Sequence, residues 1–95
     1  MALGFGIIGC GMLADFHARA IADIRGANLV GCFDLNGRAA ASFADKYDCT
    51  PYTDLNKMFE NPGLDVVTIC RNNYFIFNHL CNFFNCIFFN QEILS

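Results

Sequence analysis

The sequence contains no tryptophan, only two prolines, and few charged residues, which make up 16% of its 95 positions. Its six lysines and arginines form no run and are outnumbered by nine acidic residues, which gives a formal net charge of -3. The chain therefore lacks the basic surface that binding to a nucleic-acid backbone requires. It has no C-x-x-C pair, and its two histidines are not at ligand spacing, so no metal site is expected.

A chain of 95 residues allows one domain with a single core. The N-terminal stretch MALGFGIIGCGM has no basic region and is interrupted by glycines, so it does not read as a signal peptide. We therefore expect a cytoplasmic protein, in which a disulfide framework is not expected. The six cysteines are Cys10, Cys32, Cys49, Cys70, Cys81 and Cys86. Cys10, Cys32 and Cys70 lie within apolar runs and are predicted to pack as small hydrophobic side chains.

Short apolar runs alternate with helix-period segments up to residue 70. The pattern predicts strands at 4–8, 28–34, 49–52 and 64–70. Helices are predicted at 12–25, from the cap Asn36 to about 47, and from a Thr53 or Asp54 cap to 59. The first helix has one apolar face formed by Leu13, Phe16, Ala20 and Ile24. This alternation predicts an α/β fold, a partial doubly wound parallel sheet of about four strands with helices on both faces.

Residues 71–95 have a different composition. All eight glycines and all ten alanines precede residue 71, whereas the tail holds six phenylalanines and six asparagines, with only Arg71 and Glu92 charged. Translated non-coding or out-of-frame sequence would have this composition. A helix with a stripe of Asn78, Asn82 and Asn85 and a disordered tail are the two structural alternatives. The uncharged stretch 74–89 is shorter than the roughly 20 residues of a spanning helix, so no membrane span is expected.

The motif that carries chemistry follows the first predicted strand. Gly9-Cys10-Gly11-Met12-Leu13-Ala14 is a G-x-G-x-x-A sequence that opens a predicted helix. Gly9 permits a tight turn, Gly11 lets a pyrophosphate approach the backbone, and Ala14 keeps the helix close to the sheet. The backbone N-H groups of Met12 and Leu13, at the positive end of the helix dipole, then face the phosphates.

An acidic residue is expected about 20 positions after such a motif, where it accepts hydrogen bonds from the adenine ribose. Asp34 stands there, at the end of the second predicted strand. Its carboxylate would repel a 2′-phosphate, so NAD is favoured over NADP. Arg38, four residues on, either offsets that charge and holds a phosphate or is a solvated helix residue.

The other titratable residues give weaker signals. His17 is interpreted as a surface or partly buried histidine, and His79 is assigned no role. Five aspartates are interpreted as solvated faces and helix caps, because no pair is spaced for general acid-base chemistry. They are Asp15, Asp23, Asp45, Asp48 and Asp65.

The segments GFGIIGCGMLADFHARAI, NLVGCFDLN, RAAASFADKY, YTDLNKMF and NPGLDVVTIC resemble the N-terminal half of the glucose-fructose oxidoreductase and inositol dehydrogenase family, Gfo/Idh/MocA. The resemblance spans about residues 3–70. It implies a Rossmann domain that binds NAD or NADP, in enzymes that oxidise or reduce hydroxyl and carbonyl groups of sugars, cyclitols and related molecules. By the motif, the cofactor-contacting positions are Gly9, Gly11, Met12, Leu13 and Asp34.

The family continues with a Thr-Pro step, a histidine and a Glu-Lys-Pro element whose lysine is its catalytic residue, followed by a substrate-binding domain. Arg71 and Asn72 stand in place of Thr-Pro, and the later elements are missing. We therefore expect residues 1–70 to be a cofactor-binding portion that binds NAD weakly and is not catalytic by itself, and 71–95 to be a tail outside the family. The alternatives are a small nucleotide-binding or partner-binding protein and a non-functional truncated product. The fourth strand is expected to form an exposed edge suited to self-association.

Overall fold

A computed structural model of the chain describes residues 2–70. The sequence interpretations of the segment 71–95, including the asparagine stripe, the short apolar stretch 74–89 and His79, lie outside the described residues. The described elements are, in chain order, β1 (Leu3–Ile8), α1 (Met12–Ala22), β2 (Ala27–Phe33), α2 (Gly37–Tyr47), β3 (Thr50–Tyr52), α3 (Leu55–Phe59) and β4 (Val66–Ile69).

The four strands form one parallel sheet in the order β3-β2-β1-β4. Ile7 in β1 pairs with Cys32 in β2 on one side and with Thr68 in β4 on the other. Because every strand runs the same way, their carboxyl ends meet at a single edge of the sheet, and the loops that follow β1 and β2 are brought together there. The predicted parallel α/β fold is confirmed.

Helices cover both faces of this sheet. On one face, Ile7 and Cys32 pack with residues of α1 and α2, including Ala14 and Phe43. On the other face, α3 contributes its buried residues to a second cluster, which consists of Ile8, Phe33, Leu55, Met58, Val67 and Ile69. The alternation of side chains along each strand separates the two clusters, because neighbouring residues point to opposite faces.

The apolar face of α1 that was inferred from the sequence is not the face that packs on the sheet. The buried residues of α1 are Ala14, Ala18 and Ile21. Phe16 remains 60% exposed, and the guanidinium of Arg19 lies over its ring, 5.8 Å from the centroid. Small residues allow the helix axis to approach the strands closely, so the alanines face the sheet. Periodicity could not decide between the two faces because both are apolar.

Two of the helices begin at residues whose side chains cap them. The Asn36 side chain accepts hydrogen bonds from the backbone N-H groups of Arg38 and Ala39, at 3.0 and 3.2 Å. Asp54 accepts from the N-H of Asn56 at 2.9 Å, which settles the predicted choice between Thr53 and Asp54. The helix α1 ends at Ala22, three residues before the predicted end, and Asp48 closes α2 in a left-handed conformation with φ 57°.

Candidate functional site

The turn between β1 and α1 lies at the carboxyl edge of the sheet. Its first residue, Gly9, has φ 97°, and its backbone N-H donates to the carbonyl of Phe33 at 2.7 Å. A residue with a side chain would be strained at this φ, whereas glycine is not. The fold itself therefore requires glycine at position 9, as the tight turn predicted from the sequence implies.

Gly11 is different, because nothing in the fold requires a glycine there. Its φ is -92°, which any residue adopts, and a Cβ built on it would meet no atom of residues 2–70 within 4 Å. By contrast, a Cβ on Gly4 would lie 1.7 Å from the carbonyl oxygen of Gly63. The bare backbone at Gly11 thus borders open space, and a side chain there would occupy room that a ligand can use.

The N-terminal end of α1 faces that same space. Gly11 is the N-cap and supplies no side-chain cap, and the side chains of Met12 and Leu13 are 79% and 39% exposed. The N-H groups in the first turn of a helix have no intrahelical acceptor, and they carry the positive end of the helix dipole. An uncapped helix start beside a backbone without a side chain fits the pyrophosphate of a dinucleotide.

Asp34 joins the glycine turn to the loop that precedes α2. One carboxylate oxygen accepts from the backbone N-H of Cys10 at 2.9 Å, and the other accepts from the N-H of Asn36 at 2.9 Å. The residue is 2% exposed, and its own N-H donates to the carbonyl of Tyr52 at 3.1 Å. The sequence predicted a ribose acceptor here, and the structure adds a role in holding two backbone segments together.

Arg38 lies in the first turn of α2, two residues beyond the cap Asn36, and is exposed. It follows Asp34 by four residues, and its role towards a ribose phosphate stays a prediction. Between them, Leu35 leaves 61% of its surface exposed and offers an apolar surface next to the carboxylate. Leu35 was not among the site residues predicted from the sequence. A large apolar residue directly after a predicted strand end is nevertheless a feature that could have indicated it.

A polar network between α1 and α2 was also not predictable from the sequence. One oxygen of Asp15 accepts from the Tyr47 hydroxyl at 2.5 Å and from the Lys46 ammonium at 3.1 Å. These hydrogen bonds, first that of Tyr47 and then that of Lys46, lower the pKa of Asp15 below its ordinary value of 3.8. Asp15 is thus not simply solvated. Because its partners are more than 30 residues away along the chain, no local pattern pointed to them.

Cys10, Cys32 and Cys49 are free thiols, and together with Cys70 they belong to or pack against the core cluster beneath α1 and α2. The Cys32 thiol donates to the carbonyl of Ala40 at 3.5 Å. Its pKa is raised by the neighbouring Cys10 and Cys49 thiols and by burial, and the neighbouring Cys32 thiol lowers the pKa of Cys49. The prediction that Cys10, Cys32 and Cys70 pack as small hydrophobic residues is confirmed.

His17 is half-buried in α1, as its sequence interpretation allowed. Among residues 2–70, no group of three or more potential ligand side chains is arranged to hold a metal ion. Within the same range, no helix combines the length and hydrophobicity needed to cross a membrane.

Three known proteins resemble the chain over most of its length. Glucose-6-phosphate 3-dehydrogenase of Bacillus subtilis is 34% identical over 64 residues, which are 66% of this chain and 18% of that protein. The WlbA dehydrogenase of Bordetella pertussis, solved with NADH and UDP-GlcNAcA, is 26% identical with a TM-score of 0.70, over 76% of this chain and 23% of that one. The myo-inositol dehydrogenase of Lactobacillus casei, solved with NAD(H) and myo-inositol, has the same fold, with a TM-score of 0.64 and 24% identity, over 73% and 21% of the two chains.

The chain therefore spans about a fifth of the length of these relatives. A sequence profile described as an oxidoreductase family with an NAD-binding Rossmann fold matches residues 3–85. The matched range contains the glycine turn, the uncapped start of α1 and Asp34, which are the features that fit a dinucleotide. The chain belongs to the Gfo/Idh/MocA oxidoreductase family and contains its NAD-binding Rossmann fold.

Proposed function

We propose that residues 1–70 form a unit that binds NAD at the carboxyl edge of the sheet. In this proposal the pyrophosphate lies against Gly9, Gly11 and the backbone N-H groups of Met12 and Leu13, and the adenine ribose lies beside Asp34. The observation that carries the proposal is the open space at Gly11, since the described part of the chain places no atom where its side chain would be. Binding of a phosphate so close to the backbone requires that space.

The preference for NAD over NADP follows from charge. The two Asp34 oxygens are fixed by backbone N-H groups at the end of β2, so the carboxylate cannot easily turn away from an added 2′-phosphate. The carboxylate and a 2′-phosphate beside it are both negative and therefore repel each other. Arg38 is the cation that would pair with such a phosphate, and NADP binding would depend on it. We therefore expect NAD to bind more tightly, with NADP as the weaker ligand.

The reaction proposed for the enzyme class is oxidation or reduction of a hydroxyl or carbonyl group on a sugar, a cyclitol or a similar small molecule. The names of the relatives support this, because they include a glucose-6-phosphate 3-dehydrogenase and a myo-inositol dehydrogenase. Bound NAD supplies the hydride acceptor. Hydride transfer also needs a substrate held against the nicotinamide, and the residues proposed here contact only the phosphate and ribose side. We expect no turnover by this chain, and an NADH absorbance assay with polyols and sugars tests that.

The test of the binding site compares the full chain with its Gly11→Ala variant by calorimetric titration with NAD. We expect weak binding by the original chain and a loss of most of it in the variant, because the added methyl group fills the space where the pyrophosphate would lie. Chemical denaturation provides the control. The fold should lose less than about 1 kcal/mol, since only the preference for glycine over alanine at an N-cap is affected. Equal NAD affinity in both proteins would place the phosphates elsewhere.

The remaining proposals concern the location of the chain in the cell and its partners. We propose a cytoplasmic location and no nucleic-acid partner, on the basis of the net charge of -3 and the free thiols of Cys10, Cys32 and Cys49. We also propose that β4 can mediate self-association. Within residues 2–70, β4 pairs with β1 along one side only, and an unpaired strand side offers backbone groups to another chain. A binding module that works by pairing with another protein is the alternative function.

A further inference from the structure

Three side chains connect the start of α1 to the end of α2. Asp15 lies in the first turn of α1, and its partners Tyr47 and Lys46 lie in the last turn of α2. The ring of Tyr47 packs on that of Phe43, with the centroids 4.7 Å apart. Tyr47 thus holds the Asp15 carboxylate from a partly buried position, whereas Lys46 reaches it from the surface with 58% of its side chain exposed.

This network borders the proposed phosphate site. A cavity of about 190 Å³ between the two helices is lined by Cys10, Asp15, Ala39, Ser42, Phe43 and Lys46. Cys10 is the middle residue of the glycine turn. The charged side chains of Asp15 and Lys46 therefore line the same small cavity as that turn. Charges that are separated by less than the Debye length, about 10 Å at 0.1 M salt, are not fully screened from each other.

The sign of the Asp15 charge is unfavourable for an anionic ligand. The start of α1 attracts phosphates through its free N-H groups and the positive end of its dipole. A carboxylate in the same turn reduces that attraction. Lys46 supplies a compensating positive charge 3.1 Å from the carboxylate oxygen. Arg19 also lies near Asp15, but it stands one turn further along α1 and its guanidinium lies over the ring of Phe16.

We propose that Lys46 is a positioning residue for the dinucleotide phosphates, which acts by neutralising Asp15 beside the glycine turn. Lys46 does not contact the ligand in this account. Its effect therefore scales with the phosphate charge of the ligand, and removing Lys46 is offset when Asp15 is replaced as well. The inference rests on the proposed NAD site.

The experiment measures dissociation constants by NMR titration of the isotope-labelled full chain with NAD, with ADP, which carries the pyrophosphate, and with adenosine, which carries no phosphate. The variants are Lys46→Gln, Asp15→Asn and the double variant. Lys57→Gln is the matched control, because Lys57 is exposed and lies in α3, on the opposite face of the sheet. Its replacement changes the net charge by the same amount as Lys46→Gln.

We expect Lys46→Gln to weaken NAD and ADP binding by about two- to fivefold, the range typical of exposed charge pairs, and to leave adenosine binding unchanged. Asp15→Asn should bind ADP at least as tightly as the original chain, and the double variant should return to within about twofold of it. Raising the salt to 0.5 M should reduce the Lys46→Gln effect, because screening shortens the range of both charges.

Two outcomes would contradict the inference alone. If Lys46→Gln binds ADP as Lys57→Gln does, the charge of Lys46 has no special role. If adenosine binding weakens by the same factor as ADP binding, the network only supports the structure of the site. An original chain that binds neither NAD nor ADP would instead contradict the proposed function, and this inference with it.

Discussion

At the scale of single residues, Asp34 shows how one buried carboxylate can hold two loops of the fold together. Its two oxygens accept N-H groups from Cys10 and Asn36, which belong to the two loops that meet at the carboxyl edge of the sheet. Hydrogen bonds to a charged acceptor are stronger than those to a neutral one. The geometry of the glycine turn thus depends on a residue that the sequence identified only through its place in a cofactor motif.

Replacing Asp34 with asparagine should destabilise the fold by about 1–3 kcal/mol, the usual cost of a buried donor left without its acceptor. An amide can accept one of the two N-H groups with its oxygen, but its NH₂ then faces the other donor. Urea denaturation measures the change. Asp54→Asn is the control, since Asp54 accepts through a single oxygen, from Asn56, and asparagine caps helices equally well. Equal stability of the two variants would show that the pair of N-H groups does not depend on a carboxylate.

At the scale of secondary-structure elements, the Asp15–Tyr47 hydrogen bond fastens α1 to α2. Because its pKa is lower in the folded chain than in the unfolded one, Asp15 stabilises the fold while it is ionised. That stabilisation is fully present above about 3.8, the ordinary pKa, and is lost as the pH falls through the lowered value. The contribution of this hydrogen bond should therefore be present at neutral pH and disappear in acid.

The corresponding measurement is a double-mutant cycle of Asp15→Asn and Tyr47→Phe, followed by chemical denaturation at neutral pH and at a pH below the lowered pKa. We expect a coupling free energy of about 1 kcal/mol at neutral pH, falling towards zero in acid. Phenylalanine keeps the ring that packs on Phe43, so the cycle isolates the hydroxyl. A coupling that does not change with pH would mean that the ionised carboxylate is not the acceptor.

The elements themselves were largely predictable from the sequence. The glycine turn, the Asn36 cap and all four strands follow from local patterns, and their positions agree with the structure to within one to three residues. The buried face of α1 was not predictable, because Ala14 and Ala18 compete with the larger Leu13 and Phe16, and only the sheet decides between them. Likewise, the partners of Asp15 depend on how two helices pack, which no local pattern encodes.

At the scale of the whole molecule, the two edges of the sheet are unequal. The edge strand β3 has three residues, and its central residue is Pro51, which has no N-H to offer another strand. The edge strand β4, with the sequence VVTI, contains no proline and no charge. Short strands, prolines and charges are the features that protect edges from pairing with other chains. Within the described residues, the protection is thus present at β3 and lacking at β4.

Placing a lysine at Thr68 in the middle of β4 should reduce self-association, because pairing would then bring like charges together and desolvate them. Thr68 is half-buried and lies opposite Ile7, so denaturation should confirm that the variant remains folded. Sedimentation velocity over a range of concentrations measures the effect. Thr50→Lys, at the exposed start of β3, is the matched control and should associate like the original chain. Equal loss of association in both variants would place the contact elsewhere.

The difference between Gly9 and Gly11 also gives a means of sorting related chains. Gly9 has a backbone conformation that a side chain would strain, whereas Gly11 has an ordinary one with no atom of residues 2–70 near its side-chain position. Under the proposed site, a descendant that folds but has no use for a nucleotide would keep the first glycine and would be free to vary at the second. The residue at position 11 is then expected to distinguish a working nucleotide site from an inherited fold, even where the rest of the turn is unchanged.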